Sequence, residues 1–263
     1  MIVLITSIKH PENSKSYRKV WELLNNTLSS VCNQIDKNFK IIVVCNKRLS
    51  LEKNRDKILK HTDFIKVNFP PVSQEGYEGI RIDRGTKYVI GLKAAKKYKP
   101  EYIMFFDADD YIGNNISEYV NKNPKKNGWV IHKGLDLIGD MLRKRDNFFN
   151  GCGTANIFKY KLIMSKISMF ITTNSTQEKI IKKTDEYFLK FILGSHRFAK
   201  KYFEDNKKPL EEFPFRCAIR LFDTGENHSD FVQTTKKRKE LLKEKPHEWE
   251  KITEEQKLYF GIK

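Results

Sequence analysis

Tyr102-Ile103-Met104-Phe105-Phe106-Asp107-Ala108-Asp109-Asp110 decides how this chain reads. An uninterrupted apolar and aromatic run has the length of a buried strand, and it stops abruptly in carboxylates. Alternation along an extended chain turns Asp107 and Asp109 to the same side, so both face one ligand. Aspartates also favour turns that cap a following helix, here over Asn114–Tyr119. A turn needs one aspartate, however, and three stand behind this strand. Negative charge concentrated at a sheet edge calls for a positive occupant. Mg2+ or Mn2+ takes oxygen ligands of this kind and is placed there to hold a diphosphate, which points to nucleotide-using transfer chemistry.

Upstream, apolar runs alternate with helical patterns. Ile2–Ile8 reads as a strand, Tyr17 to about Cys32 as a helix, Phe39–Cys45 as a strand and Leu51–His61 as a charged helix. Phe64–Phe69 is a third strand stopped by Pro70-Pro71. Arg84 to about Tyr98 is a helix with Val89, Ile90, Leu92 and Ala95 inward. Such alternation predicts an α/β, Rossmann-like fold with a mainly parallel sheet flanked by helices, and ligands bind beyond the carboxyl ends of such strands. The remainder is more irregular and helical. Trp129–His132, Leu135–Ile138 and Pro214–Phe222 read as strands, and Gln177–Phe203 as helix broken near Lys183-Thr184-Asp185 and at Gly194. Residues 236–263 form a charged tail, helical around Lys236–Lys245 and broken by Pro246. No repeat or low-complexity linker divides the chain, so one domain over 1–263 is expected.

The 263 residues carry 50 Lys+Arg against 33 Asp+Glu, a formal charge of +17. That excess favours anionic partners, or it solvates the surface, since the lysines are spread throughout. The run Lys236-Lys237-Arg238-Lys239 either touches an anionic membrane peripherally or is merely hydrated. Cys32, Cys45, Cys152 and Cys217 are scattered with no Cys-x-x-Cys pair, which argues against zinc and against a disulfide framework and fits a reducing, cytoplasmic setting. Every apolar run is far too short to span a bilayer. The opening Met1-Ile2-Val3-Leu4-Ile5-Thr6 reads as a strand, not a signal peptide.

The segment Ile103–Ile112 resembles the DXD segment of GT-A fold glycosyltransferases, especially those similar to family 2, in which it follows the fourth strand. The resemblance is clear over the first half of the chain and loose beyond. It implies a nucleotide-binding half at 1–112 and an acceptor-binding half at 113–235. Asp107 would lie near the ribose, with Asp109 and Asp110 on Mn2+ or Mg2+ bridging the diphosphate of a sugar nucleotide, UDP-sugar favoured. Thr6, Ser7 and Ile8 after the first strand, and Asn46 after the second, would contact the nucleotide. His228, in Gly225-Glu226-Asn227-His228-Ser229, resembles the C-terminal histidine that many such enzymes give to the metal. Asp185 or Glu186, at a helix start in the second half, matches the carboxylate that deprotonates the acceptor, with His196 in reserve. The acceptor would be a glycan or lipid-linked glycan, with inversion at the anomeric carbon.

Arg81, Arg84 and Lys87 either meet phosphates at a helix N-terminus capped by Asp83 or form a solvated basic face. Asn150–Asn156 offers glycines for backbone approach to a sugar, or simply a turn. Two other readings stay open. A nucleotidyltransferase shares this half-fold but usually carries a glycine-rich basic loop after the first strand, where Thr6-Ser7-Ile8-Lys9-His10-Pro11 stands. A non-catalytic basic module binding glycans or nucleic acid is the third. Nucleic acid is not expected as a partner, because aromatics interleaved with arginine are missing.

Overall fold

The computed structural model describes residues 1–73, 76–222, 224–226, 240 and 242–262. Its main sheet begins with β1 (Ile2–Ser7), β2 (Phe39–Cys45), β3 (Thr62–Lys66) and β4 (Tyr102–Phe105). These pair in parallel in the order β3-β2-β1-β4. Beyond β4 lie β9 (Asn156–Lys159), β6 (Gly128–Val130) and β10 (Glu211–Glu212), where β9 runs antiparallel to both neighbours. One face is covered by α1 (Tyr17–Val31), whose Ser16 hydroxyl accepts from the Lys19 amide as N-cap. The other face is covered by α3 (Gly76–Ala95), which presses Tyr88, Val89 and Leu92 onto Val3, Ile5 and Ile103. This is the helix-flanked, mostly parallel sheet that the alternating pattern predicts.

A second sheet of five strands follows the order β12-β8-β7-β11-β5. Its members are β5 (Tyr111–Ile112), β7 (Gly134–Ile138), β8 (Met141–Arg145), β11 (Ala218–Leu221) and β12 (Trp249–Lys251). The hairpin between β7 and β8 turns at Gly139, whose φ of +61° a side chain rarely tolerates.

Three boundaries differ from expectation for physical reasons. The third strand starts at Thr62 and ends at Lys66, because it pairs in register with Ile41–Cys45 of β2. Val67 and Phe69 remain buried but pack as loop. The second helix, α2 (Arg55–His61), starts late because Asn54 takes a left-handed conformation before it. The third helix begins at Gly76, not Arg84. Asp83 is therefore no N-cap but an interior residue, paired with Lys87 one turn on at 2.9 Å. Gly85 is a packing point: a Cβ there would collide with the Leu189 carbonyl of the π-helical turn Phe188–Leu193.

The residues after Pro246, which composition alone leaves to solvent, dock instead. Trp249, Ile252 and Phe260 are buried against the second sheet. The last helix, α8 (Glu254–Phe260), carries a complete capping box of Thr253 and Gln256. Tyr259 donates to Asn115 at 2.6 Å and its carbonyl accepts from Asn114, which ties the end of the chain beside β5. The remaining helices are α4 (Ile116–Lys122), α5 (Tyr160–Met164), α6 (Gln177–Lys183) and α7 (Ala199–Asp205). The predicted break at 183–185 is the gap between α6 and the π-helical turn, and Gly194 ends that turn.

Candidate active site

β1 and β4 lie side by side in register, Ile5 opposite Phe105, so the loops leaving their carboxyl ends are neighbours. Ser7, Ile8 and Lys9 leave one, and Asp107 to Asp110 leave the other. Together with the first turns of α3, Gly151, Ser195–Arg197 and Arg220, they line a cleft of about 440 Å³.

The three carboxylates of the acidic run are not equivalent. Asp110 is buried and saturated: it accepts from the Thr154 hydroxyl, from Cys152 Sγ at 3.0 Å and from the Leu221 amide at 3.3 Å. It knots the loop before β9 to β11. Asp107 is partly exposed; it pairs with Arg84 and accepts the Gly153 amide at 3.0 Å. Asp109 faces the cleft with no hydrogen bond or ion pair to its carboxylate from any other described residue. Burial, then the charge of Asp110, push it up to about 7, with Lys9 and Arg84 pulling the other way. A cation in the cleft would relieve both the burial and the charge of Asp110 that raise this carboxyl.

One oxygen each from Asp107 and Asp110 and the Cys152 sulfur lie within 4.8 Å of one another, a grouping that can hold a metal ion. Cys152 donates to Asp110, and burial and that carboxylate hold its thiol well above the usual range. The sulfur is therefore protonated there and ill suited to a hard cation. Asp109 and Asp107 offer the oxygen donors that Mg2+ or Mn2+ prefers, so the residues present fit such an ion.

Arg84 bridges Asp107 and the Tyr88 hydroxyl. Arg81 reaches the cleft over the Phe191 ring. Lys87, expected at the phosphates, is fully buried; its ammonium donates to the Ile8 carbonyl at 2.8 Å and to Asp83, and so holds the β1 loop from beneath. Thr6 is buried in β1 with its hydroxyl unpartnered, while Ser7 and Ile8 line the cleft. Asn46 does not line it: its amide donates to the Phe69 carbonyl at 2.7 Å.

Of the residues suggested for proton transfer, only His196 lines the cleft. Its ring nitrogens are buried, and burial, then Arg84 and Arg197, depress it to about 3, with the Asn150 backbone pulling the other way. Asp185 is exposed and caps the π-helical turn, accepting the Phe188 amide at 2.8 Å. Glu186 is exposed and pairs with Lys190. His228 and Lys236 to Lys239 lie outside the described residues.

Several participants carry no linear signal. Glu226 folds back on the β1 loop, where it pairs with Lys9 at 2.8 Å and accepts the Ser16 amide at 2.6 Å. Arg220 is held by buried Asp136, at 3.2 Å, and donates to the Gly151 carbonyl at 2.6 Å. Asp136 also takes Arg143 at 2.9 Å and Arg145 at 3.3 Å. Gly153 matters for what it lacks: a Cβ would stand 2.5 Å from both Asp107 oxygens and collide with Arg84. Gly153→Ala should therefore split the Arg84–Asp107 pair and lower stability by about 1–3 kcal/mol. An unchanged Tm would show that the loop simply moves aside.

No protein-family model and no curated protein matches this chain. Among solved structures it is similar to S. aureus TarS 1–349 in complex with UDP, at 14% identity and a TM-score of 0.47, over 84% of this chain and 60% of that one. It is also similar to the apo-form glycosyltransferase GlyE of Streptococcus pneumoniae TIGR4, at 10% identity and 0.41, over 80% of this chain and 44% of that one. A third is the 4-diphosphocytidyl-2C-methyl-D-erythritol synthase of Anaerococcus prevotii, at 14% and 0.41, over 91% and 96%. The chain thus spans about three fifths of the TarS fragment and under half of GlyE.

Proposed function

We propose that the chain is a metal-dependent glycosyltransferase that moves a sugar from a nucleotide diphosphate sugar, UDP-sugar favoured, to a hydroxyl of a glycan or lipid-linked glycan. The observation that carries this reading is Asp109, whose carboxylate pairs with no other described residue, in a cleft that also presents Arg81, Arg84 and Arg220. A cation site ringed by guanidinium groups suits a metal-escorted diphosphate.

Asp109 and Asp107 would hold Mn2+ or Mg2+, with His228 proposed as a third ligand. Such an ion supplies neutralisation of the charge that develops on the leaving diphosphate. Arg81, Arg84 and Arg220 would grip the phosphate oxygens, and the loop Ser7-Ile8 would take the base. His196 is the proposed acceptor-side base. A diphosphate that neutralises Arg84 relieves one of the charges depressing the imidazole and lifts it toward the range where proton transfer is efficient.

A thermal-shift panel of sugar nucleotides with and without Mn2+ tests the reading. We expect one donor to stabilise the protein only when metal is present, by roughly 2–3 kcal/mol at a hundredfold excess over Kd. His196→Ala should lower kcat about a hundredfold, while Asp185→Asn leaves it near wild type. Stabilisation by CTP with release of pyrophosphate would instead make the chain a nucleotidyltransferase. Stabilisation that ignores metal altogether would rule out glycosyl transfer through a metal-escorted diphosphate.

A further inference from the structure

A second concavity, of about 760 Å³, shares no residue with the cleft. It is lined by Lys66 on β3, by Lys93 of α3, by Lys96, Lys97 and Lys99 in the turn that follows α3, and by Thr173. Lys66, Lys96, Lys97 and Lys99 are all exposed. Asp63 is the one carboxylate that pairs with any of them among the described residues, and it takes Lys97. The patch is thus strongly and singly positive. The Lys93 ammonium donates to the Ser168 carbonyl at 2.8 Å, which fastens the loop 168–176 to the rim.

That loop presents the two most exposed large apolar side chains of the described residues, apart from Leu258 of α8. Met169 is 81% exposed and Phe170 68%. They occupy the centre of a tight turn closed by the Ile171 amide on the Ser168 carbonyl at 3.2 Å. Ile167 and Ile171, on either side, are buried, and Ile167 also bridges to Thr184. Exposure is therefore built into the turn: two buried isoleucines anchor it so that its apolar tip points outward. An apolar tip beside a cluster of lysines matches the two layers of an anionic membrane surface, acyl boundary and headgroup. A soluble polyanion would use the lysines and leave the tip in water. No described helix is long and apolar enough to cross a bilayer, so this attachment would be peripheral.

We infer that this face docks on anionic phospholipid, with Met169 and Phe170 entering the interface and Lys66, Lys96, Lys97 and Lys99 meeting the headgroups. The inference stands apart from the reading of the cleft, and binding is scored without any sugar nucleotide. The full chain is sedimented with vesicles of equal parts phosphatidylglycerol and phosphatidylcholine, and with phosphatidylcholine alone. Binding should appear with the anionic vesicles and weaken as salt is raised. Lys66→Glu with Lys96→Glu should lower it at least about tenfold, and Met169→Ser with Phe170→Ser by a similar factor. All four positions are exposed, and circular dichroism reports whether each variant stays folded. Three results would overturn the inference: equal binding to both vesicles, no loss on lysine reversal, or a loss on lysine reversal that the apolar double variant does not share. The last would leave a purely electrostatic contact, with Met169 and Phe170 outside the interface.

Discussion

Asp109→Asn should abolish turnover, lowering kcat/KM by about a thousandfold or more, while the protein stays folded. The asparagine keeps the shape but removes the charge that a divalent ion needs, and no other cleft carboxylate is as free to replace it. Asp110 is consumed by Thr154, Cys152 and Leu221, and Asp107, the proposed second ligand, already shares its charge with Arg84 and cannot hold the ion alone. The same substitution carries a stability signature of definite sign. Asp109 has its folded pKa raised to about 7 from 3.8, so the unfolded chain releases this proton first as pH climbs. Metal-free protein therefore loses stability between about pH 4 and pH 7 and then levels off. The direction of the shift fixes the sign of this slope, and opening of the carboxylate to the cleft keeps it to roughly 1–2 kcal/mol. The asparagine variant should lack this part of the slope and be the more stable protein at pH 8 without metal. Mn2+ should stabilise wild type at that pH and leave the variant unmoved. Urea melts across pH, with and without Mn2+, measure both effects; a variant that still turns over donor would show that another carboxylate holds the charge.

Asp136→Ala should be the most damaging change away from the cleft floor. Asp136 is fully buried in β7, and Arg143, Arg145 and Arg220 converge on it from β8 and β11. Deleting one partner of a buried ionic cluster leaves the others uncompensated, at a cost of about 3–5 kcal/mol. Here the three guanidinium groups keep some access to water, so the lower end applies. A loss of that size lowers Tm by on the order of 10 °C in a chain of this length. Function should suffer as well, because Asp136 orients Arg220, which reaches both the cleft and the Gly151 carbonyl. KM for the donor should rise at temperatures where the variant is still folded. A Tm within about 2 °C of wild type would mean that the three arginines are hydrated well enough to do without their carboxylate.

The first half of the fold was legible because its signals are local. Ile2–Ser7, Phe39–Cys45 and Tyr102–Phe105 are short apolar runs, and α1 repeats its apolar residues at helical spacing. The start of α3 was hidden by Gly76 and Gly79, which interrupt its apolar pattern. Gly85 is where the Leu189 carbonyl approaches, a contact that no linear pattern encodes. The docked end was missed for a related reason. Trp249, Ile252 and Phe260 are spaced too widely among charges to mark an amphipathic element.

The site divides along the same line. The acidic run announced itself, yet the separate roles of its members depend on Cys152 and Thr154 from the loop before β9 and on Leu221 of β11. Lys87 read as a phosphate ligand because a lysine near a helix start usually faces solvent. The earlier start of α3 turns it into the core, where the Ile8 carbonyl and Asp83 hold it. Asp185 and Glu186 had the right setting at a helix start, but neither lines the cleft, and Asp185 caps the turn that follows it.

Crystals grown with UDP and Mn2+, and diffraction collected at the manganese absorption edge, test the central claim most directly. The account predicts an anomalous peak in direct contact with the Asp109 carboxylate and with the diphosphate. Bound UDP with no manganese at Asp109, or manganese seated instead on Asp110 and Cys152, would contradict it.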